Sequence, residues 1–272
     1  MKNTSTLRCL ALAAALATFA APMAIAAPRA IEIQAPADNQ TPAEQAAIAE
    51  DYYYGRNGRP QDYAECVRWA TLAANRKNAQ AQYRLGVCYY KGQGVTQDNG
   101  AAAAWLEKAA AQKHDEALNL LGLFYENGYG VKQNLKKAAS YYKKAAKKGN
   151  TLGQYNLANC YYTGRGVKRD YGQAASWFRK AAEQGFARAQ CSLGNCYEQG
   201  RGVPQSDNEA ALWYKKSAEQ NYARALYYLA RCYEQGRGVE QSQDKALELY
   251  RRAAAAGVKE AQDRLNELSA AG

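Results

Sequence analysis

The chain has 272 residues, with 36 Lys and Arg against 25 Asp and Glu, a formal charge of +11. Its single histidine confines any Ser-His-Asp or Cys-His arrangement to His114, and no Cys/His spacing resembles a zinc site. Past residue 26 no segment is apolar enough to span a membrane, and no cofactor motif is present.

Residues 1–26 read as a secretory signal peptide. Lys2 and Arg8 supply the positive start, and Ala24-Ile25-Ala26 the small-residue cleavage site. The apolar core from Cys9 to Ala21 falls short of the ~20 residues a membrane span requires. The mature chain is therefore expected in the periplasm or outside the cell, and loss of Lys2 and Arg8 lowers the charge from +11 to +9. Residues 27–45 carry Pro28, Pro36 and Pro42 without helical periodicity and read as a flexible linker.

From 46 to 272 one 36-residue pattern recurs. Gly-x-Gly-Val falls at 92–95, 128–131, 164–167, 200–203 and 236–239, and a preceding leucine at Leu85, Leu121, Leu157, Leu193, Leu229 and Leu265. A fixed period of this length is the signature of a solenoid. Residues 46–80 form a degenerate first unit, whose Gly55-Arg56-Asn57-Gly58 turn holds one extra residue. Regular units follow at 81–116, 117–152, 153–188, 189–224 and 225–260, and 261–272 repeats only the first helix, as a cap.

Each unit reads as two antiparallel helices. Helix A, in the first regular unit, runs from Ala81 to about Lys91, with Leu85, Cys88 and Tyr89 at helical spacing, and stops at Gly92. Helix B starts after Asp98 and its counterparts Asn134, Asp170, Ser206 and Ser242, all preferred N-caps; Ser206 with Glu209 has the spacing of a capping box. Helix B buries sets such as Ala102, Trp105 and Ala109, or Ala210, Trp213 and Ser217. Small residues at Gly86, Gly122, Ala158, Gly194 and Ala230 let the two helices approach closely. The expected class is all-α, with five regular units, one degenerate unit and a capping helix.

The run Leu-Gly-x-x-Tyr-x-x-Gly-x-Gly-Val, then about ten residues, then Ala-x-x-Trp-x-x-x-Ala-Ala, resembles the Sel-one-like repeat, a relative of the tetratricopeptide repeat. The resemblance is tight over 81–260 and loose over 46–80. It implies a right-handed α-α superhelix whose A helices line a concave surface, and an adaptor role. Many exported bacterial members tune cell-envelope assembly, secretion, polysaccharide export or host contact. A cysteine-rich secreted subfamily is described as binding or hydrolysing β-lactams, its repeats stapled by Cys-x7-Cys across the B-to-A turn. That pattern is absent here, where Ala109 and Ala110 stand, which weakens any transfer of that chemistry.

Among the seven cysteines, Cys88, Cys160, Cys196 and Cys232 share one repeat position and read as small buried hydrophobes; the 117–152 unit has Phe124 there. Cys66 and Cys88 lie equally far either side of the turn near Lys77, where an antiparallel helix pair would allow a disulfide. His114 sits in a B-to-A turn and reads as a loop side chain rather than a general base. Glu198 and Glu234 share an A-helix position and read as solvated groove carboxylates rather than a glycosidase pair. No enzymatic site is expected.

The A-helix positions free to face the groove are 83, 87, 90 and 91 and their counterparts, offsets that line the groove in the related tetratricopeptide family. The set begins aromatic and aliphatic, with Tyr83, Val87, Tyr90, Leu123, Tyr155 and Tyr162. It ends polar, with Asn159, Asn195, Glu198, Arg231 and Glu234. Such a surface suits a protein or peptide partner through aromatic anchors and amide bonds to its backbone; it also suits stacking on sugar rings, the alternative being a cell-wall glycan binder with weak hydrolytic activity. Residues 117–152 carry seven lysines against Glu126, a net +6, and 153–188 add +4. Those charges read as solvated helix surface or as a site for a polyanionic envelope component. Nucleic acid is not expected of an exported chain that has no known binding motif.

Overall fold

The computed structural model describes residues 39–270. The signal peptide and most of the linker expected from the sequence lie outside them. Among the described residues there are thirteen helices and no strand. The first pair is α1 (Pro42–Tyr54) and α2 (Tyr63–Asn75), and the second α3 (Ala79–Lys91) and α4 (Asn99–Ala111). Next come α5 (Asp115–Asn127) with α6 (Leu135–Lys147), and α7 (Thr151–Thr163) with α8 (Tyr171–Glu183). The last pairs are α9 (Ala187–Gln199) with α10 (Asp207–Glu219), and α11 (Ala223–Gln235) with α12 (Gln243–Ala255). Helix α13 (Lys259–Ala270) stands alone at the end. Helices pack chiefly on their neighbours in sequence, which makes the molecule an all-α solenoid. No helix among the described residues is long and apolar enough to cross a membrane.

Two boundaries differ from the sequence expectation. The A helices begin two residues earlier, at Ala79 rather than Ala81 in the first regular unit, because Asn78 is the N-cap and accepts the Ala81 N–H at 2.9 Å. The linker ends sooner, because Pro42 opens α1 instead of continuing an extended segment. Proline is tolerated in a first helical turn, where its missing N–H has no partner to lose. Thr41 and Glu44 close a full capping box in front of it.

The repeated caps explain the uniform helix lengths. Asp98, Asn134, Asp170, Ser206 and Ser242 each accept a backbone N–H of the helix that follows. Ser206 does so through its hydroxyl, on the Glu209 N–H at 3.2 Å; both halves of a box form only at Thr41 among the described residues. Gly92, Gly128, Gly164, Gly200 and Gly236 end the A helices in the left-handed conformation.

The second glycine of each Gly-x-Gly-Val serves the stacking of units rather than the turn alone. A Cβ at Gly94, Gly130, Gly166, Gly202 or Gly238 would overlap a backbone carbonyl at the start of the preceding unit's B helix. Inside a unit the small A-helix residue does the equivalent work. A Cβ at Gly86 would meet Leu106 Cγ at 2.7 Å, and one at Gly194 would meet Tyr214 at 2.7 Å.

The core runs the length of the stack and is built from alanines, with a fully buried large residue from each B helix after the first (Leu106, Tyr142, Phe178, Tyr214 and Tyr250) together with the A-helix leucines Leu85, Leu121, Leu157 and Leu193. Cys66, Cys88, Cys160, Cys196 and Cys232 are buried, as expected of small apolar residues. The sequence did not disclose an amide relay between units. Gln112, Gln184 and Gln220 donate to the buried Gln82, Gln154 and Gln190 at 2.8 Å, and Gln82 and Gln190 donate onward to the carbonyls of Ala74 and Ala182 at 3.2 Å.

Candidate functional site

The A-helix face carries most of the side chains singled out from the sequence, but the structure spends them differently along its length. At the N-terminal end they are absorbed by packing. Val87 is buried in the first core cluster. Tyr83 stacks on His114 with ring centroids 4.9 Å apart, and Tyr90 packs on Phe124 at 5.1 Å and Tyr129 at 5.8 Å. Leu123 is half-buried and lines no cavity described here. Arg84, beneath this cluster, is buried and paired with Glu50 at 2.5 Å while lying 3.7 Å over the Tyr53 ring.

Glu198 and Glu234 are not free groove carboxylates. The hydroxyl of Tyr214, from helix α10 of the same unit, donates to Glu198 at 2.7 Å, and Arg237 from the next unit's turn pairs with the other oxygen. Arg231 lies 3.8 Å from the same oxygen. Glu234 is held likewise, by the Tyr250 hydroxyl at 2.7 Å and Arg264 at 2.5 Å. Their side chains are 12% and 13% exposed. Glu126 repeats the arrangement with Tyr142 and Arg165. Each carboxylate is a clasp between helices and between units. Burial pushes the Tyr214 and Tyr142 phenols up, and the carboxylate beside each adds to it.

His114 is the N-cap of α5, accepting the Ala117 N–H at 3.4 Å, and its other ring nitrogen meets Gln80 Oε1 at 2.8 Å. Burial holds its pKa below the ordinary histidine value. His114, Asp115 and Glu116 place ligand-type atoms within 4.8 Å of one another, but His114 Nδ1 is already engaged in the cap.

Four of the expected groove residues come together. Tyr155, Asn159 and Tyr162 of α7 and Asn195 of α9 border a cavity of about 270 Å³ that also reaches α11. Phe178, Tyr222 and Tyr228 also line it, together with the exposed Arg188 and Arg224. Tyr155 is fixed by an edge contact to Phe186 at 5.2 Å and a tilted contact to Phe178 at 5.8 Å. Tyr162 accepts from Arg201 and donates to Asn195 Oδ1 at 3.3 Å. Cys191 also borders the cavity; burial pushes its thiol up to about 12, so it is a wall and not a nucleophile. Arg231 and Glu234 belong to a separate depression beside Arg264.

Sequence reasoning missed Arg188, Ser192, Tyr222, Arg224 and Tyr228 because it carried over four helix offsets and ignored the helix starts. A signal was present. Arg188 and Arg224 are each the second residue of their helix, where the helix dipole disfavours a cation.

Cys66 and Cys88, expected as a possible disulfide, are free thiols here. The neighbouring Cys88 thiol, together with burial, drives the Cys66 pKa upward. Both fill fully buried positions between α2 and α3.

A family model described as Sel1 repeat matches residues 45–78, 79–114, 115–150, 151–186, 187–222 and 223–258. Among solved structures, the chain is similar to a protective antigen of uropathogenic Escherichia coli described as displaying an SLR fold, at 39% identity and TM-score 0.76. That match covers 84% of this chain and 49% of the other, so the chain spans about half the length of that relative. A Sel1 repeat protein from Oxalobacter formigenes is similar at 31% identity and TM-score 0.74, over 85% of this chain and 66% of the other. No curated protein matches the chain.

Proposed function

The chain belongs to the Sel1 repeat family, whose members are protein-interaction scaffolds, and from that premise we propose that it is an exported, non-enzymatic adaptor holding a partner protein or peptide against its A helices. The observation that carries this reading is the cavity at α7, α9 and α11, where aromatic rings, the Asn159 amide and the amide N–H groups of Asn195 share one lining. Aromatic anchors seated in a desolvated pocket dominate interface energetics, and Asn side chains bond an extended backbone. The export half rests on the charged, apolar and small-residue pattern of residues 1–26. Envelope assembly, secretion or host contact are the processes that fit such a location.

The test is a crosslinking pull-down from the periplasm, comparing wild type with Tyr155→Ala/Asn159→Ala and, as a packing control, Tyr90→Ala, with helicity checked for each. One partner recovered with wild type and Tyr90→Ala but lost with the cavity variant supports the groove. Recovery with all three removes it.

A second reading has its own observation. All seven lysines of 117–152 are exposed, and among the described residues none lies within salt-bridge distance of a carboxylate. That face suits a polyanionic envelope component. Binding there falls steeply with salt and with charge-neutralising substitutions on α6, whereas the groove mode survives salt.

A further inference from the structure

We propose that the cavity at α7, α9 and α11 recognises a carboxylate on a peptide segment of the partner; this rests on the groove reading and names the chemistry at that site. The cavity lining contains Arg188 and Arg224 and no acidic residue. Other arginines on or against this face are committed: Arg84 to Glu50, Arg165 to Glu126, Arg237 to Glu198 and Arg264 to Glu234. Among the described residues neither Arg188 nor Arg224 has a carboxylate within salt-bridge distance.

The remaining polar groups lean the same way. Asn195 Oδ1 is occupied by the Tyr162 hydroxyl, which leaves the amide N–H groups of Asn195 as its unspent half. The Asn159 amide and the Ser192 hydroxyl, both in the lining, add further donors. A cavity that offers two guanidiniums and several neutral donors matches an anion that accepts from all of them, through charge-assisted bonds stronger than neutral ones. At about 270 Å³ the space is smaller than the roughly 300–1,000 Å³ of small-molecule pockets. It admits the end or one side chain of a peptide. Tyr155, Phe178, Tyr222 and Tyr228 supply apolar walls for the carbon atoms that carry the carboxylate.

A comparison between units supports a purpose other than helix stability. The position of Arg188 and Arg224 is Gln80, Glu116 and Leu152 in α3, α5 and α7. The N-caps there are Asn78, His114 and Asn150, each with a side-chain bond, whereas Phe186 and Tyr222 in front of α9 and α11 make none. Among the A helices of the full units, α9 and α11 alone give up the side-chain cap and place an arginine against the dipole, each a cost to the helix.

The experiment uses the full mature chain and three labelled hexapeptide pools: one without Asp or Glu and with a free C-terminal carboxylate, the same pool amidated, and the amidated pool with one internal Glu. Retention of the first or third pool but not the second is expected. Retention of the first alone assigns a chain terminus; retention of both assigns a carboxylate anywhere in the segment. Arg188→Gln/Arg224→Gln alters exposed side chains and keeps the fold, and it is expected to weaken retention by about tenfold or more, the equivalent of one lost charge-assisted bond. Equal retention of the amidated acid-free pool, no retention of any pool, or a double variant that binds like wild type overturns the proposal. The two readings separate in the pull-down. A partner lost by Tyr155→Ala/Asn159→Ala but kept by Arg188→Gln/Arg224→Gln leaves the groove standing and removes the carboxylate; a partner kept by both removes both.

Discussion

Gly202 lies against the backbone carbonyl of Tyr171, the first residue of the preceding unit's B helix, with no room for a Cβ. Its φ of +75° adds a second reason for glycine. Gly185, at φ +87°, shares the backbone requirement but has nothing within 4 Å of a built Cβ. The pair separates strain from stacking. Gly185→Ala is expected to cost about 1 kcal/mol, the left-handed penalty alone. Gly202→Ala is expected to cost at least twice as much, because the units must also part. Thermal unfolding of the two variants checks this, and equal losses would mean that the turn, and not the stacking contact, explains the motif.

Much of this architecture was legible in the chain. The period, the glycines and the caps are local features, and each depends on backbone conformation that a few adjacent residues dictate. The groove was less legible because its residues are defined by what other units leave unpaired. Glu198 reads as a free carboxylate until Tyr214 and Arg237 are seen to take both oxygens. Val87 reads as a groove residue until its burial in the first core cluster is seen. Arg188 and Arg224 gain meaning only once they are found together at one cavity without acids.

The Glu234 clasp makes a prediction about acid. Burial opposes ionisation of Glu234, but the bonds from Arg264 and Tyr250 outweigh it and hold the carboxyl below its ordinary value. A folded-state pKa depressed in this way contributes stability above the unfolded value of about 4.3. That contribution is lost as the pH falls through the folded value. In denaturant titrations from pH ~7 to pH ~3, the stability gap between wild type and Glu234→Gln is expected to be widest near neutrality and to narrow in acid. A gap that stays constant with pH would show that the variant acts through packing alone.

The thiols make a second prediction. Burial pushes Cys160 and Cys191 up to about 12 and Cys196 and Cys232 up to about 11, so at pH ~8 about one in a thousand or fewer is a thiolate. Iodoacetamide is expected to leave these four and the Cys66–Cys88 contact unmodified in the native chain. After unfolding without reductant, all six described cysteines are expected to react. Loss of two reactive thiols at Cys66 and Cys88 would reveal a disulfide. Early native modification of Cys191 would show that the cavity opens further than the structure shows.

The turns between B and A helices hold an internal comparison that predicts a gain. Lys113 is exposed and adopts φ +63°, as Lys77 does, whereas the same turn position carries Gly149, Gly185 and Gly257 in sister units. A Cβ in those three meets nothing within 4 Å, so the lysines are disfavoured by backbone conformation and not by crowding. Lys113→Gly removes the left-handed penalty and returns part of it as unfolded-chain entropy, for an expected net gain of about 0.5–1 kcal/mol. In a domain of this size that raises Tm by about 1–4 °C. Lys77→Gly is expected to match it. Asn221→Gly, at φ +58°, is expected to gain less, because asparagine tolerates the left-handed region. If Lys113→Gly instead lowers Tm, Lys113 stabilises the turn through its side chain, and the backbone account of these turns is wrong.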